Sequence, residues 1–281
     1  MKHAMPVTGT PQKLAAGGKE VFPEGLVLTR ESGILTLTIE RPQDLNRLSP
    51  EVLSRLGAVA QALREDGETN VLVIIGGGSE IFSMGILNPA IRASYSKDDV
   101  VRLVRHANEV FDAIEALPQI VIAAINGKVV AGAVELCLAC DLRYASSSAT
   151  LAMPEATWGG FPGAGAPVRL PMLVGRARAL ELVCTGQEID AQEMERLGLV
   201  QATYPAGQFA ESVRQTAGRI AASGPLAVRG AKRIMAVRQE PGFRAARELS
   251  DALRRALEWS PDVDEGIAAH RENRQPKFTG R

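Results

Sequence analysis

Two short apolar runs place the tightest limit on the fold of this chain. Residues 70–75 read NVLVII, and residues 120–125 read IVIAAI. Because neither run alternates apolar with polar residues, each predicts a strand covered on both faces, as in a parallel sheet with helices on either side. A segment with apolar residues at helical spacing precedes each run, at about residues 50–64 and 98–117. The sequence therefore predicts an α/β fold built from repeated ββα units.

Capping and turn residues set the predicted limits of these elements. Ser49 followed by proline predicts the N-cap of the first helix, and Asp98 predicts the N-cap of the second. Residues 26–29 and 34–39 alternate apolar with polar positions around Gly33, which predicts a β-hairpin at the outer side of the sheet. The sheet is thus expected to begin at about residue 26.

The two ends of the chain depart from the α/β pattern. Residues 1–24 lack both arginine and the apolar centre of a secretory signal, and they are predicted to form a flexible N-terminal tail. From about residue 206 the pattern is entirely helical, with helices predicted at 209–222, 226–239, 243–259 and 261–273. We divide the chain into the tail, a ββα core over residues 25–204 and a helical region over residues 205–281.

The balance of charge and the lengths of the apolar runs exclude several classes of partner. The 281 residues carry 32 basic and 32 acidic side chains, so there is no electrostatic footprint for nucleic acid or for an anionic membrane. No apolar run is long enough to span a membrane.

Three cysteines, an odd number, fit a reducing compartment and a cytoplasmic location. Cys137 and Cys140 form a CxxC pair on an apolar helical segment without a second pair, which predicts a core role rather than a metal site.

Residues 123–155 contain the strongest candidates for catalytic residues. A turn at Asn126-Gly127 follows the second apolar run, and Gly132 then opens a short apolar helix that contains Glu135. Glu155 follows twenty positions later. Two carboxylates near a helix N-terminus predict an acid/base site in which the helix N-terminus stabilises an anion.

Two loops are predicted to border this site, and two other chemistries are disfavoured. The long loop over residues 79–96 contains Gly85, and the glycine- and proline-rich loop over residues 157–171 can turn sharply or pass close to a ligand. A GxGxxG count from Gly76 places Ile81 at the third glycine, which disfavours a dinucleotide site. The three histidines lie far apart in the sequence, which disfavours a Ser/His/Asp hydrolase.

Five segments resemble those of a known family, the enoyl-CoA hydratase/isomerase (crotonase) superfamily, over roughly residues 25–281. They are ILTLTIERPQDLNRLS, VLVIIGGGSEIFSMGIL, AAINGKVVAGAVELCLACDLRYAS, AMPEATWGGFPGAGAPVRLP and DVDEGIAAHRENRQPKFTGR. The resemblance implies a crotonase-like spiral of ββα units with a C-terminal helical trimerisation region, assembled as a homotrimer or hexamer. It also implies an acyl-CoA thioester substrate, with coenzyme A as part of the substrate and no separate cofactor or metal.

The resemblance also assigns roles to particular residues. The backbone N–H groups of Ile86 and Gly132 would bind the thioester oxygen. Glu135 would be the base toward water, and Glu155 would be the acid toward C2. The implied substrate-binding residues are Met84, Gly85, Leu87 and Ala131 around the reacting centre, with Arg41, Gln43, Asp44, Lys277 and Phe278 near the nucleotide of coenzyme A.

Several positions depart from the family pattern. Leu87 replaces a common aspartate, Met84 replaces an alanine, Ala131 and Ala133 replace glycines, and Lys128 stands where an aromatic residue is common. These changes leave backbone donors possible but imply a less polar and differently shaped pocket.

The two glutamates favour hydration of a trans-2-enoyl-CoA to a 3-hydroxyacyl-CoA. Two alternatives stay open at this point: a Δ3,Δ2-enoyl-CoA isomerase that uses Glu155 alone, and an acyl-CoA binding protein without catalytic activity. Residues 156–169 contain no Asp or Glu, which disfavours the dehalogenase branch of the superfamily. An RNA-binding role lacks a basic segment to support it.

Overall fold

A computed structural model describes residues 17–160 and 162–239, together with residues 261, 262, 265, 269, 272, 274 and 276–280. The strands are β1 (Lys19–Phe22), β2 (Leu26–Glu31), β3 (Ile34–Ile39), β4 (Val71–Gly76), β5 (Ile81–Ser83), β6 (Ile120–Ile125), β7 (Lys128–Val130), β8 (Leu142–Ser146), β9 (Thr150–Ala152), β10 (Ile189–Asp190) and β11 (Ala202–Tyr204). The α-helices are α1 (Pro50–Arg64), α2 (Pro89–Arg92), α3 (Lys97–Glu115), α4 (Gly132–Leu138), α5 (Ala166–Val174), α6 (Arg176–Thr185), α7 (Ala191–Arg196), α8 (Phe209–Ala221) and α9 (Pro225–Gln239).

The two apolar runs form the centre of the larger sheet, as predicted. Within the described residues, the strand order is β1-β2-β3-β4-β6-β8-β11; the first two pairings are antiparallel and those from β3 onward are parallel. Leu72 and Ile74 of β4 belong to the main core, whereas Val71 and Val73 face a second cluster that includes Phe209 of α8. Both faces of β4 are therefore covered, which explains its nearly unbroken apolar sequence.

A second, smaller sheet was not predicted. It has the order β10-β9-β7-β5, and its strands are only two or three residues long. Strands this short carry no usable alternation of apolar and polar residues. Each turn of the spiral nevertheless adds one strand to each sheet, because β4 and β5, β6 and β7, and β8 and β9 follow one another along the chain. The predicted ββα repeat is thus confirmed.

The structure corrects four local predictions. Lys19–Phe22 is an edge strand rather than part of a flexible tail, since it pairs with β2 and buries Phe22 under the guanidinium of Arg55 at 4.4 Å. Ser96, not Asp98, is the N-cap of α3, because its hydroxyl accepts from the N–H of Asp99. The loop predicted for residues 157–171 ends at Gly165, because α5 begins at Ala166. The loop predicted for residues 79–96 contains both β5 and α2.

Several other predictions are confirmed, and some lie outside the described residues. The hairpin, the Ser49 N-cap and the short helix that begins at Gly132 are present, and Cys137 and Cys140 are buried, unpaired thiols. The helix predicted at 243–259 lies outside the described residues, and only single residues of the helix predicted at 261–273 are described. None of the described helices is both long and apolar enough to cross a membrane.

Candidate active site

A cavity of about 480 Å³ lies where the loop after β5, helix α3, the start of α4 and the segment after β9 meet. This volume is within the range of small-molecule sites. Its lining consists of Ile86, Leu87, Asn88, Pro89, Arg92, Ala93, Val100, Val104, Ala131, Gly132, Glu135, Glu155, Trp158, Gly159, Gly160, Gly163 and Ala164. The cavity thus brings together both predicted acids and both predicted backbone donors.

The loop after β5 approaches the start of α4 so closely that a Cβ atom on Gly85 or on Gly132 would overlap the other segment. Gly85 has φ +77°, and a Cβ atom there would lie 2.6 Å from the carbonyl oxygen of Val130 and 3.0 Å from the nitrogen of Gly132. A Cβ atom on Gly132 would lie 2.7 Å from Cγ1 of Ile86. In the described part of the chain, the N–H groups of Ile86 and Gly132 donate to no protein acceptor. Two unpaired N–H donors therefore lie beside each other at the cavity wall.

Hydrogen bonds to the segment before α1 hold this loop in place. The Arg47 guanidinium donates to the carbonyl oxygen of Met84 at 2.8 Å, and the N–H of Leu48 donates to the carbonyl oxygen of Gly85 at 3.0 Å. The N–H of Met84 donates to the carbonyl oxygen of Leu45 at 3.1 Å. The loop is therefore fixed by groups that lie outside the cavity, as a preorganised donor site requires.

Ala131 has a strained backbone. Its φ is +56° and its ψ is −129°, a region that residues with a Cβ rarely occupy and that typically costs about 1–3 kcal/mol. Because Ala131 directly precedes Gly132, this conformation sets the direction in which α4 begins. Its methyl group is buried, so the strain is held by the surrounding packing.

We expect Ala131→Gly to raise the free energy of unfolding by about 1 kcal/mol, because relief of strain exceeds the roughly 0.4–1 kcal/mol that glycine costs through the unfolded state. Ala133→Gly is the matched control, since Ala133 is a buried alanine in the first turn of the same helix with no positive φ. That control should lose roughly 1 kcal/mol. Urea unfolding of the two variants measures both effects, and equal losses would contradict the strain argument.

Glu135 is a buried carboxyl with an unusual set of partners. Its side chain is only 2% exposed, and Oε1 accepts from the N–H groups of Ala164 at 2.8 Å and Ala166 at 3.0 Å. Burial, assisted by the charge of Glu155, raises the pKa of Glu135 to about 7 against the opposing effect of the two N–H donors. A carboxyl with a pKa near neutrality can both take up and release a proton under physiological conditions.

Glu155 is the second carboxyl of the cavity. It lies in a 3₁₀-helix over Pro154–Trp158, and burial raises its pKa as well. Its Oε2 atom is buried and has no hydrogen-bond partner among the described residues. A buried carboxyl oxygen without a partner is costly, and a water or substrate hydrogen bond would relieve this cost.

The residues predicted to bind the nucleotide of coenzyme A do not line the cavity. Arg41 donates to the Glu24 carbonyl oxygen and pairs with Asp44, and Gln43 is exposed. The Lys277 side chain is exposed, and Phe278 lies against Gly224. Their roles toward coenzyme A stay predictions. Met84 is also absent from the lining, although Leu87 and Ala131 are part of it.

Sequence reasoning missed the residues that surround Glu135 on the far side of the cavity. Ala164 and Ala166 act through backbone groups, and their only signal in the sequence was the glycine- and proline-rich composition of the segment. Asn108 of α3 and Arg169 of α5 hold the same turn by their side chains. Polar residues are expected on one face of an amphipathic helix, so the presence of Asn108 in the sequence gives no indication of such a contact.

The fold and the site together define a class: an α/β protein of ββα units in two sheets, whose cavity combines two raised-pKa carboxyls with unpaired backbone donors. The family model described as enoyl-CoA hydratase/isomerase matches residues 29–281. The chain belongs to this family, within the crotonase superfamily, whose members act on acyl-CoA thioesters.

Individual relatives extend over nearly the whole chain. The 2,3-dehydroadipyl-CoA hydratase of Escherichia coli is 32% identical over 256 residues, 91% of this chain and 99% of the relative. The crotonyl-CoA hydratase of Syntrophomonas wolfei is 32% identical over 255 residues, 91% of this chain and 98% of the relative. The crystal structure of an enoyl-CoA hydratase from Bacillus anthracis superposes with a TM-score of 0.88 at 32% identity, and the match covers 92% of this chain and all of that one. The predicted crotonase-like fold is thereby confirmed.

Proposed function

We propose that the protein is an enoyl-CoA hydratase, which adds water syn across the double bond of a trans-2-enoyl-CoA and gives a 3-hydroxyacyl-CoA. The observation that carries this proposal is the pair of carboxyls in one cavity, with Glu135 held by two N–H donors and its pKa raised to about 7. Relatives named as hydratases, including a crotonyl-CoA hydratase, support the same choice. The reaction needs no cofactor besides the coenzyme A of the substrate.

In the proposed mechanism, Glu135 is the base toward water. Both N–H contacts go to Oε1 of Glu135, which leaves Oε2 to accept a hydrogen bond from the water. The water oxygen bonds to C3 of the enoyl group as Glu135 takes one water proton. Electron density moves from the C2–C3 double bond to the thioester oxygen, which becomes an enolate held by the N–H groups of Ile86 and Gly132.

Glu155 then completes the addition as the acid. Its carboxyl gives a proton to C2, the enolate collapses to the thioester, and the product carries the hydroxyl on C3. A proton must pass from Glu135 to Glu155 between turnovers, and their electrostatic coupling is consistent with carboxyls close enough for this. Burial raises the pKa of Glu155, which favours the protonated form required of the acid.

The isomerase alternative makes a different use of the same cavity. It needs a single carboxyl to move a proton between C2 and C4, so Glu135 would have no role. The burial of Glu135 argues against this alternative, because a charged carboxyl at 2% exposure destabilises the fold. A group with such a cost is typical of a functional site. The acyl-CoA binding alternative leaves both carboxyls without a task.

A panel of thioesters distinguishes the three possibilities. Incubation with crotonyl-CoA and longer trans-2-enoyl-CoA esters should bleach the conjugated thioester absorbance and give a product heavier by one water, as measured by mass spectrometry. An isomerase would instead create that absorbance from a 3-enoyl-CoA with no change of mass. Saturable binding of every thioester without either change would contradict the proposed function.

We expect Glu155→Gln to lower kcat for hydration by roughly 100- to 10,000-fold, because the amide cannot protonate C2. The KM should change little, since a similar shape and polarity are retained. Glu109→Gln, an exposed glutamate on α3, is the control and should leave kcat unchanged. Steady-state kinetics on crotonyl-CoA measure both variants. Turnover by Glu155→Gln within a few-fold of the unaltered protein would refute its assignment as the acid.

A further inference from the structure

One face of helix α3 connects the cavity to the turn that holds Glu135. Val100, Val104, Asn108 and Asp112 recur every four residues, so they lie above one another on the same side of the helix. The two valines line the cavity. Below them, Asn108 contacts the segment between the 3₁₀-helix and α5, and Asp112 pairs with Arg169 of α5. Helix α3 therefore contacts both the substrate space and the supports of Glu135.

Asn108 holds a peptide group whose other side faces Glu135. Its Nδ2 donates to the carbonyl oxygen of Gly163 at 2.7 Å and, more weakly, to that of Val104 at 3.3 Å. The carbonyl of Gly163 and the N–H of Ala164 belong to one planar trans peptide, so their O and H atoms point in opposite directions. A donor that fixes the carbonyl on the α3 side therefore fixes the N–H toward Glu135.

Arg169 of α5 holds the next peptide, and its guanidinium is anchored to α3. Its guanidinium donates to Glu115 at 2.7 and 2.9 Å and pairs with Asp112, and it reaches the carbonyl oxygen of Ala164 at 3.4 Å. The Arg169 side chain is only 9% exposed. Gly165 makes room for it, because a Cβ atom there would lie 1.9 Å from one guanidinium nitrogen. The turn is thus fixed by Asn108 of α3 and by Arg169 of α5, whose guanidinium is held by two carboxylates of α3.

We propose that Asn108 is a positioning residue for Glu135, acting through the Gly163–Ala164 peptide, with Arg169 as a second support of the same turn. The role in catalysis rests on the proposed hydratase function, whereas the contact itself does not. Without the Asn108 donor, the peptide is free to rotate and the Ala164 N–H no longer holds Oε1 of Glu135 in one orientation. Small displacements of a catalytic group have large kinetic effects.

The test compares two asparagines that each donate to a carbonyl oxygen far away in the sequence. Asn108→Ala should lower kcat for crotonyl-CoA about 10- to 100-fold with KM within about threefold. Asn70→Ala is the matched control, because Asn70 donates to the Ala221 carbonyl oxygen at 3.2 Å outside the cavity. It should leave both constants within about twofold. Equal kinetic losses in the two variants would overturn the proposal.

The pH dependence separates positioning from a general loss of structure. An N–H donor to a carboxylate favours its charged form, so loss of that donor raises the pKa of Glu135. Because the base must be ionised, the rising limb of kcat/KM should move to higher pH in Asn108→Ala and stay in place in Asn70→Ala. In a Glu135→Gln background, Asn108→Ala should have no further effect on the residual rate. A full additional loss in that background would count against the proposal.

A measurement that does not depend on turnover distinguishes failure of the Asn108 proposal from failure of the proposed hydratase function. Carbon-13 labelling of glutamate, with assignment by difference from Glu135→Gln, gives the titration of the Glu135 carboxyl directly. Its midpoint should move upward in Asn108→Ala even if no enoyl-CoA in the panel is hydrated. An unchanged midpoint would refute the role of Asn108 whatever the reaction is, whereas a shifted midpoint in a protein without hydratase activity would refute only the proposed function.

Discussion

Glu135→Gln should abolish most hydration and, above neutral pH, make the protein more stable. The amide cannot take a proton from water, so kcat should fall by roughly 100- to 10,000-fold. The Gln carbonyl oxygen can still accept from the N–H groups of Ala164 and Ala166, so the local structure should be retained. The Δ3,Δ2-isomerase alternative predicts instead that this substitution is harmless. Loss of rate with a gain in stability is the signature of a buried group kept for function.

The sign of the stability change follows from the raised pKa. In the unfolded chain the carboxyl titrates near 4.5, and in the folded protein near 7. Below pH 4.5 both states are protonated and no penalty exists. Between these values the folded state binds more protons, so its stability falls as pH rises, and above pH 7 the penalty reaches about 3 kcal/mol. Removal of the carboxylate should therefore stabilise the protein by up to about 3 kcal/mol at pH 8, and by nothing at pH 4.

Urea unfolding at several pH values measures this prediction. The difference in unfolding free energy between Glu135→Gln and the unaltered protein should grow from pH 5 to pH 8. Glu109→Gln is again the control, because it makes the same substitution at an exposed position on α3. A destabilised Glu135→Gln at pH 8 would mean that the charge of Glu135 contributes to the fold, and it would contradict the assigned pKa.

Gly85→Ala should cost both stability and nearly all catalysis. An added Cβ atom would lie 2.6 Å from the Val130 carbonyl oxygen and 3.0 Å from the Gly132 nitrogen, both backbone atoms that cannot move independently. The N–H groups of Ile86 and Gly132 would have to separate. Loss of one oxyanion donor lowers rates by roughly 100- to 1,000-fold, so kcat should fall at least about 100-fold. The free energy of unfolding should fall by more than about 1 kcal/mol.

Gly78→Ala separates the effect of backbone strain from that of the clash. Gly78 has φ +79°, close to the +77° of Gly85, but a Cβ atom there meets nothing within 4 Å. Its substitution should therefore lower stability through φ alone and leave kcat unchanged. Crotonyl-CoA kinetics and urea unfolding of the two variants give the comparison. Equal kcat values for the two alanine variants would show that the approach of the loop to α4 has no role in catalysis.

Gly132→Ala should be milder than Gly85→Ala, for a reason that the sequence does not contain. The nearest atoms to its added Cβ are the Cγ1 and Cδ1 of Ile86, at 2.7 and 2.8 Å. A side chain can change rotamer, whereas the carbonyl that opposes Gly85 is part of a strand. The structure thus tolerates a Cβ atom at Gly132, the predicted donor, better than at Gly85, the predicted substrate-binding residue.

The sequence alone determined the elements whose signal is local or periodic. Unbroken apolar runs predicted β4 and β6, because strands covered on both faces need no polar positions. Ser49 and its proline predicted the start of α1, since an N-cap is a contact between neighbours in the chain. Glu135 was singled out because a carboxyl among apolar helix residues is costly without a function. The ordered family segments then indicated that Glu155, Gly85, Ile86 and Gly132 belong to one site.

Tertiary structure alone decided the second sheet and the environment of the acids. Strands of two or three residues, such as β7 and β9, exist because neighbouring turns of the spiral offer them partners, and they leave no periodic trace. Glu135 owes its raised pKa to burial, and the two N–H groups that limit the rise are 29 and 31 residues away in the chain. Asn108 lies 55 residues from the carbonyl that it fixes. Contacts between distant residues depend on how whole elements pack, which no local pattern in the sequence records.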